Sequence, residues 1–177
     1  MKKLSVIIIF SILIAACTSE KEKPEADKSQ IVKEITELEN QVMDVPDPEK
    51  VSKLIAKYLE FEKAFEGDTA IPEYLFKAAV WSKNLMKSRE AIKIFDRIIT
   101  SFPDYKKVPM CLFYKAMVFG DDIGDFKTAK ELYLLFLEKY PNHDFAQSAK
   151  ASIENLGLTP EELVAKWEKE GKTDSIK

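Results

Sequence analysis

Five glycines, two cysteines and a single histidine are all that 177 residues hold of the types that build phosphate loops, disulfide frameworks and metal sites. No Gly-rich phosphate loop or nucleophile elbow can be found, and no Cys/His cluster has metal-ligand spacing, so neither cofactor nor metal is expected. The lone histidine, His143 in Tyr140-Pro141-Asn142-His143-Asp144, has no local nucleophile or metal partner and reads as a solvated turn residue. Asp121, Asp122 and Asp125 lack the alternating-oxygen spacing of an EF-hand and read as helix caps. A basic excess is missing too. The formal charge is −3, which argues against a nucleic-acid partner. Nor is there an apolar run of about 20 residues, the length that spans a bilayer. An enzyme is not expected.

One apolar run does stand out. Lys2 and Lys3 precede Leu4 to Ala16, which ends in small residues just before Cys17, the layout of a secretory signal over residues 1–16. Leu13-Ile14-Ala15-Ala16-Cys17 resembles the bacterial lipobox. That resemblance implies cleavage before Cys17, lipidation of its thiol and an outer-membrane anchor of several acyl chains, enough for stable binding. An ordinary cleaved signal or an uncleaved anchor is the alternative. Thr18 is similar to the residue found in lipoproteins released to the outer membrane, and the Glu20-Lys21-Glu22-Lys23 run resembles surface-export tags. Either the periplasm or the cell surface is therefore open to the domain. Residues 17–30 carry no large apolar side chain and read as a tether, holding the domain on the order of 20 Å from the lipid as a random coil. Cys111, left as the sole thiol, lies among Met110, Leu112 and Phe113 and reads as a small buried hydrophobe.

The remainder is periodic. Residues 72–107 lie over 110–145 without a gap at an offset of 38, matching Lys77/Lys115, Ala78/Ala116, Val80/Val118, Ala91/Ala129 and Pro103/Pro141. Apolar pairs such as Phe95/Tyr133, Ile98/Phe136 and Phe102/Tyr140 fill the intervals. A fixed period means stacked supersecondary units. Tyr58, Phe61 and Phe65 fall on Phe95, Ile98 and Phe102 at an offset of 37, so residues 31–66 read as a degenerate first unit. The expected fold is all-α, an α-solenoid of about three helical hairpins with C-terminal capping helices over residues 31–170, and a frayed tail at 171–177. Helices are predicted at about 72–84, 87–101, 109–119, 125–139 and 142–156, with a turn at Gly120–Asp125. A last helix is capped by Thr159 with Glu162 at the box position.

Setting Pro103 and Pro141 at the closing proline of a unit puts Ala91 and Ala129 at its small site and Phe95 and Tyr133 at its aromatic site. This resembles the tetratricopeptide repeat, lengthened by four residues, with Ser82 and Gly120 where that family has an aromatic and Met117 where it has a small residue. Repeat and lipobox together are similar to bacterial envelope lipoproteins of this class. Among them is the repeat lipoprotein of the outer-membrane β-barrel assembly machine, which has more repeats than fit here; the chain is also similar to the repeat domain of the periplasmic Tol-Pal coordinator, though residues 31–43 are too short for that protein's coiled coil. The resemblance implies a protein-binding concave groove lined by Glu73, Phe76, Val80, Lys83 and Asn84 from one unit and Cys111, Tyr114, Val118, Asp121 and Asp122 from the next. Phe76 and Val80, or Tyr114 and Val118, stand where carboxylate-clamp relatives have Lys and Asn, so a peptide carboxylate is not the expected occupant. An amphipathic helix or extended peptide is. The alternative is that Phe76 and Tyr114 pack beneath the terminal helices. A further reading is a structural subunit docked through its convex side or through Leu163 and Trp167 of the last helix.

Overall fold

Asp27 opens the first helix: its carboxylate accepts hydrogen bonds from the backbone N–H of Ser29 at 2.9 Å and of Gln30 at 3.4 Å. Helix α1 (Lys28–Asp44) therefore begins inside the stretch read as tether. The computed structural model describes residues 27–44 and 46–171. The signal segment, Cys17 and most of the tether lie outside these residues, as does the end of the tail.

Seven more α-helices follow. They are α2 (Pro48–Ala64), α3 (Ile71–Asn84), α4 (Ser88–Ser101), α5 (Val108–Met117), α6 (Phe126–Lys139), α7 (Ala146–Asn155) and α8 (Pro160–Lys169). Among the described residues there is no strand, and no helix is long and apolar enough to cross a membrane. Neighbours in sequence pack in pairs from α1 to α7, which makes three stacked hairpins, α1–α2, α3–α4 and α5–α6, with α7 laid on the last: an α-solenoid. Asp47 caps α2 by accepting from the N–H groups of Glu49 and Lys50, with Pro48 at the first helical position, where its missing N–H costs nothing.

The repetition extends to backbone angles. Helices α2, α4 and α6 end at Phe65, Phe102 and Tyr140 with φ/ψ of −129/59, −132/56 and −133/54 degrees, each terminal N–H donating four residues back. An aromatic at that position folds back onto the hairpin and Pro103 or Pro141 follows, so the second helix of a unit cannot run on. The helical spacing of Ile31, Ile35 and Val42 buries one stripe of α1 against Val51, Leu54, Ile55, Tyr58 and Phe61 of α2. Ala78, Ala79, Ala91, Ala116 and Ala129 have no exposed surface, as close helix approach requires. Two apolar clusters result. One runs from α1 to α5 and the other joins α5, α6 and α7, with Ile99 and Tyr114 packed against both.

Three expectations need correction. The predicted turn at Gly120–Asp125 is helical as far as Ile123: α5 passes into a π-helical turn, Val118–Ile123, which closes on left-handed Gly124 at φ 76°. Only Asp125 of the three aspartates is a cap, accepting from Thr128 N. The helix expected from residue 142 starts at Ala146, because His143 Nδ1 accepts from the N–H of Phe145 and holds residues 140–146 in turns. Helix α8 has the capping box its sequence promised and half-buries Leu163 and Trp167, with none of its residues fully buried.

Candidate protein-binding surfaces

The first helices of successive hairpins, which the sequence reading made the floor of a groove, meet through side chains that fill it. Phe76 is 8% exposed and has the rings of Tyr105 and Tyr114 at 6.5 and 6.1 Å, with Lys107 Nζ 4.7 Å from its own ring centroid. Glu73 accepts from Tyr105 Oη and Lys107 Nζ, both at 2.6 Å. Burial would raise the Glu73 carboxyl, but those two donors outweigh it and hold the group below its ordinary value. Tyr114 lies among Phe76, Phe95, Phe113 and Phe145.

Cys111 and Val118 have no exposed surface and belong to the core, so they cannot touch a partner. Burial pushes the Cys111 thiol up to about 12, the behaviour of a structural cysteine. Phe76 lies under Tyr105 and Lys107 of the α4–α5 connection rather than under the terminal helices, and Phe145, just ahead of α7, lies against Tyr114. What stays accessible is a rim. Val80 is half-buried, Asn84 and Asp121 are exposed and Lys83 is partly so, while the Asp122 side chain, 3.9 Å from Lys83, is almost wholly buried. His143, read as solvated, sits instead between the rings of Phe136 and Phe145 at 5.5 and 5.4 Å.

The three hairpins are also tied by charge as far as α5. Lys57 pairs with Glu34 (2.7 Å), Lys77 with Glu39 (2.7 Å), Arg97 with Glu62 (2.8 Å), Lys107 with Glu73 (2.6 Å) and Lys115 with Asp96 (2.6 Å). Tyr58 Oη also donates to Glu39, at 2.6 Å. The pairs are partly exposed, so each contributes little stability, on the order of 1 kcal/mol or less. Their use is in register: a misaligned hairpin would leave them unmatched.

The far end of the stack is built otherwise. Leu134 and Ile153 stand, at the offset of 38, where Asp96 and Lys115 pair one unit earlier, and Leu134 is 50% exposed. Here the π turn, α6, α7 and the segment leading into α8 enclose a cleft of about 620 Å³. Its lining combines small residues of α7 (Ser148, Ala151, Ser152) with Phe126, Leu156 and Leu163, and Asp121 supplies a carboxylate. Burial raises the Asp121 carboxyl, Lys83 opposes that, and no hydrogen-bond donor reaches it among the described residues. Gly120 sets the cleft's inner wall. A Cβ there would come within 3.1 Å of Leu156 Cδ2 and 3.4 Å of Ala129 Cβ, so any side chain would have to push Leu156 outward by a few tenths of an ångström.

This cleft was not foreseen. Sequence periodicity marks which residues face a neighbour, and a missing neighbour leaves the same apolar pattern as a present one. The lack of any aromatic on α7 was the available signal, since a stripe of Ser and Ala cannot fill the space that Phe113 and Tyr114 fill in α5.

Residues 73–105 and 110–143 match the family model of the tetratricopeptide repeat. The matched spans coincide with the second and third hairpins and their closing turns. No curated protein matches the chain.

Proposed function

We propose that the protein is a lipid-anchored scaffold of the bacterial envelope that binds a protein partner, and that the end of its repeat stack takes part in that binding. Tetratricopeptide repeats serve protein–protein interaction, and two are present. The observation that carries the reading is the unfilled end of the stack. A repeat array buries each unit against the next, and here the space between α6, α7 and the start of α8 is left as a cleft with an apolar wall, a face of small residues and one uncommitted carboxylate. Its occupant is an amphipathic helix with a cationic side chain facing Asp121, because an apolar helix alone would leave that carboxylate desolvated and unpaired.

The test is photo-crosslinking in cells from Ser148 and Ser152 in the cleft, with Lys53 on the exposed side of α2 as control, followed by mass spectrometry. One protein captured from both cleft positions, absent from the control and lost on Asp121→Lys, is the expected result. Equal capture from Lys53 would sink the assignment. Anchoring is separate: labelling with a palmitate analogue should be lost in Cys17→Ala, and the protein should leave the membrane fraction.

A second reading, permanent docking through the last helix, draws on one specific observation. Helix α8 keeps its capping box and is held to the end of α7 by Lys166, which donates to Asn155 Oδ1 at 2.8 Å, while fully burying none of its residues. Deleting residues 158–177 should leave helicity intact and remove assembly under this reading; loss of the fold would instead make α8 a structural cap.

A further inference from the structure

Where α3 turns into α4, the chain makes a choice that local stability does not explain. Met86 adopts φ 57°, the only non-glycine residue with positive φ among those described, and its side chain is 66% exposed. Backbone bonds from Met86 N to Lys83 O and from Lys87 N to Ser82 O, both 2.8 Å, make this a Schellman closure, in which the left-handed position favours glycine. One unit later the equivalent residue is glycine: Gly124, at φ 76°. Nothing inside the fold repays Met86, since its side chain faces water. The next residues repeat the pattern. The α4 N-cap is Lys87, with no side-chain cap bond, where the following unit has the capping Asp125. Lys87 and Arg89 also stand at the helix end whose dipole disfavours cations.

These residues share one surface. Met86, Lys87, Ser88, Arg89 and Glu90 line a shallow depression of about 610 Å³ with Asp122 and Ile123 of the π turn, and Ile123 is 46% exposed. Its uncommitted charge is net positive, Lys87 and Arg89 against Glu90. Asp122 is committed to Lys83 at 3.9 Å and Ser88 Oγ at 3.5 Å, and Glu90 sits in the first turn of α4, where the dipole favours it. Lys87 Nζ reaches only the uncharged Ser52 Oγ at 3.1 Å, and Arg89 has no partner among the described residues.

We infer that the Met86–Ile123 edge is a second docking surface, distinct from the terminal cleft, for an acidic peptide segment that sets an apolar side chain between Met86 and Ile123 and its carboxylates against Arg89 and Lys87. A flexible thioether beside an exposed aliphatic suits contact with a partner side chain, and the two cations give the charge complement. The left-handed methionine is the local cost of presenting that contact.

The substitution that tests this also protects the fold. Met86→Gly relieves the left-handed strain and should raise the melting temperature by about 2–4 °C. The probe is a phage-displayed library of 16-residue peptides panned on the detergent-solubilised full chain. Recovered peptides should carry Asp or Glu beside a large apolar residue and lose at least tenfold in affinity on Met86→Gly, on Ile123→Ser and on Arg89→Glu, while Asp121→Lys leaves them bound. Recovery of no peptide, of basic peptides, or of acidic peptides indifferent to Met86→Gly overturns the proposal. Concentration-dependent dimerisation abolished by Met86→Gly would also overturn it, in favour of a second copy as the occupant. Asp121→Lys reports on the cleft alone, so failure of one surface is not failure of the other.

Discussion

The second and third hairpins have the same alphabet in their hearts and different ones at their turns. Ala91 and Ala129, Phe95 and Tyr133, Ile98 and Phe136 occupy equivalent places with almost no exposed surface. At the turn, Ser82 faces Gly120, Met86 faces Gly124 and Lys87 faces Asp125. The earlier hairpin, closed by neighbours on both sides, keeps a locally poor turn. The later one has a good turn, and what it lacks is a full neighbour. Interior positions answer to packing, which is the same in every unit, whereas turn positions answer to whatever lies outside the stack.

The largest test of that contrast is truncation of the shared aromatic. Phe95→Ala should cost about 3–5 kcal/mol in urea unfolding, the usual penalty for an emptied aromatic site in a closed core. Tyr133→Ala should cost visibly less, because Tyr133 lines the open cleft and water can enter the space it leaves. Equal costs would mean the cleft is closed in solution.

Next comes the pair Gly120 and Ser82. Gly120→Leu drives a side chain into Leu156 and Ala129 and should cost about 1–3 kcal/mol. Ser82 has no exposed surface and its hydroxyl makes no hydrogen bond, so Ser82→Ala should stabilise, by about 1 kcal/mol. Opposite signs at equivalent positions are the expected outcome in chemical denaturation.

Exchanging the turn residues gives a smaller, symmetrical effect. Met86→Gly should gain about 1 kcal/mol and Gly124→Ala lose about as much, since each moves a side chain off or onto a left-handed backbone. A loss in both would show that Met86 packs in some way its exposure hides.

The smallest effect is electrostatic. Glu73 is held below its ordinary 4.5 by Lys107 and Tyr105 against the pull of burial. A depressed carboxylate contributes stability above its unfolded value and loses it as the pH falls through its folded one. Melting temperatures recorded from pH 6 to pH 3 should therefore drop less steeply below about pH 4.5 in Glu73→Gln than in the parent chain.

Legibility followed the same division. Helix number, the two closing prolines and the caps at Asp125 and Thr159 could be read from the chain, because capping and proline sterics act within four residues. The groove could not. Cys111, Val118 and Phe76 were assigned to it by their place in a repeat, and whether that place faces a partner or the protein depends on where Tyr105, Lys107 and Phe145 come to lie. The π turn was equally hidden: Gly-Asp-Asp-Ile-Gly-Asp has the composition of a loop, yet the chain stays helical through Ile123 and closes at left-handed Gly124.

By itself the sequence determined the period, the helices and the all-α class, since a 38-residue offset with helical apolar spacing can be satisfied only by stacked hairpins that share a core. Tertiary structure decided which faces of those hairpins remain for others. Burial depends on where the next element sits, and at the turn after α3 and at the end of the stack that position is set by packing between residues far apart in the chain.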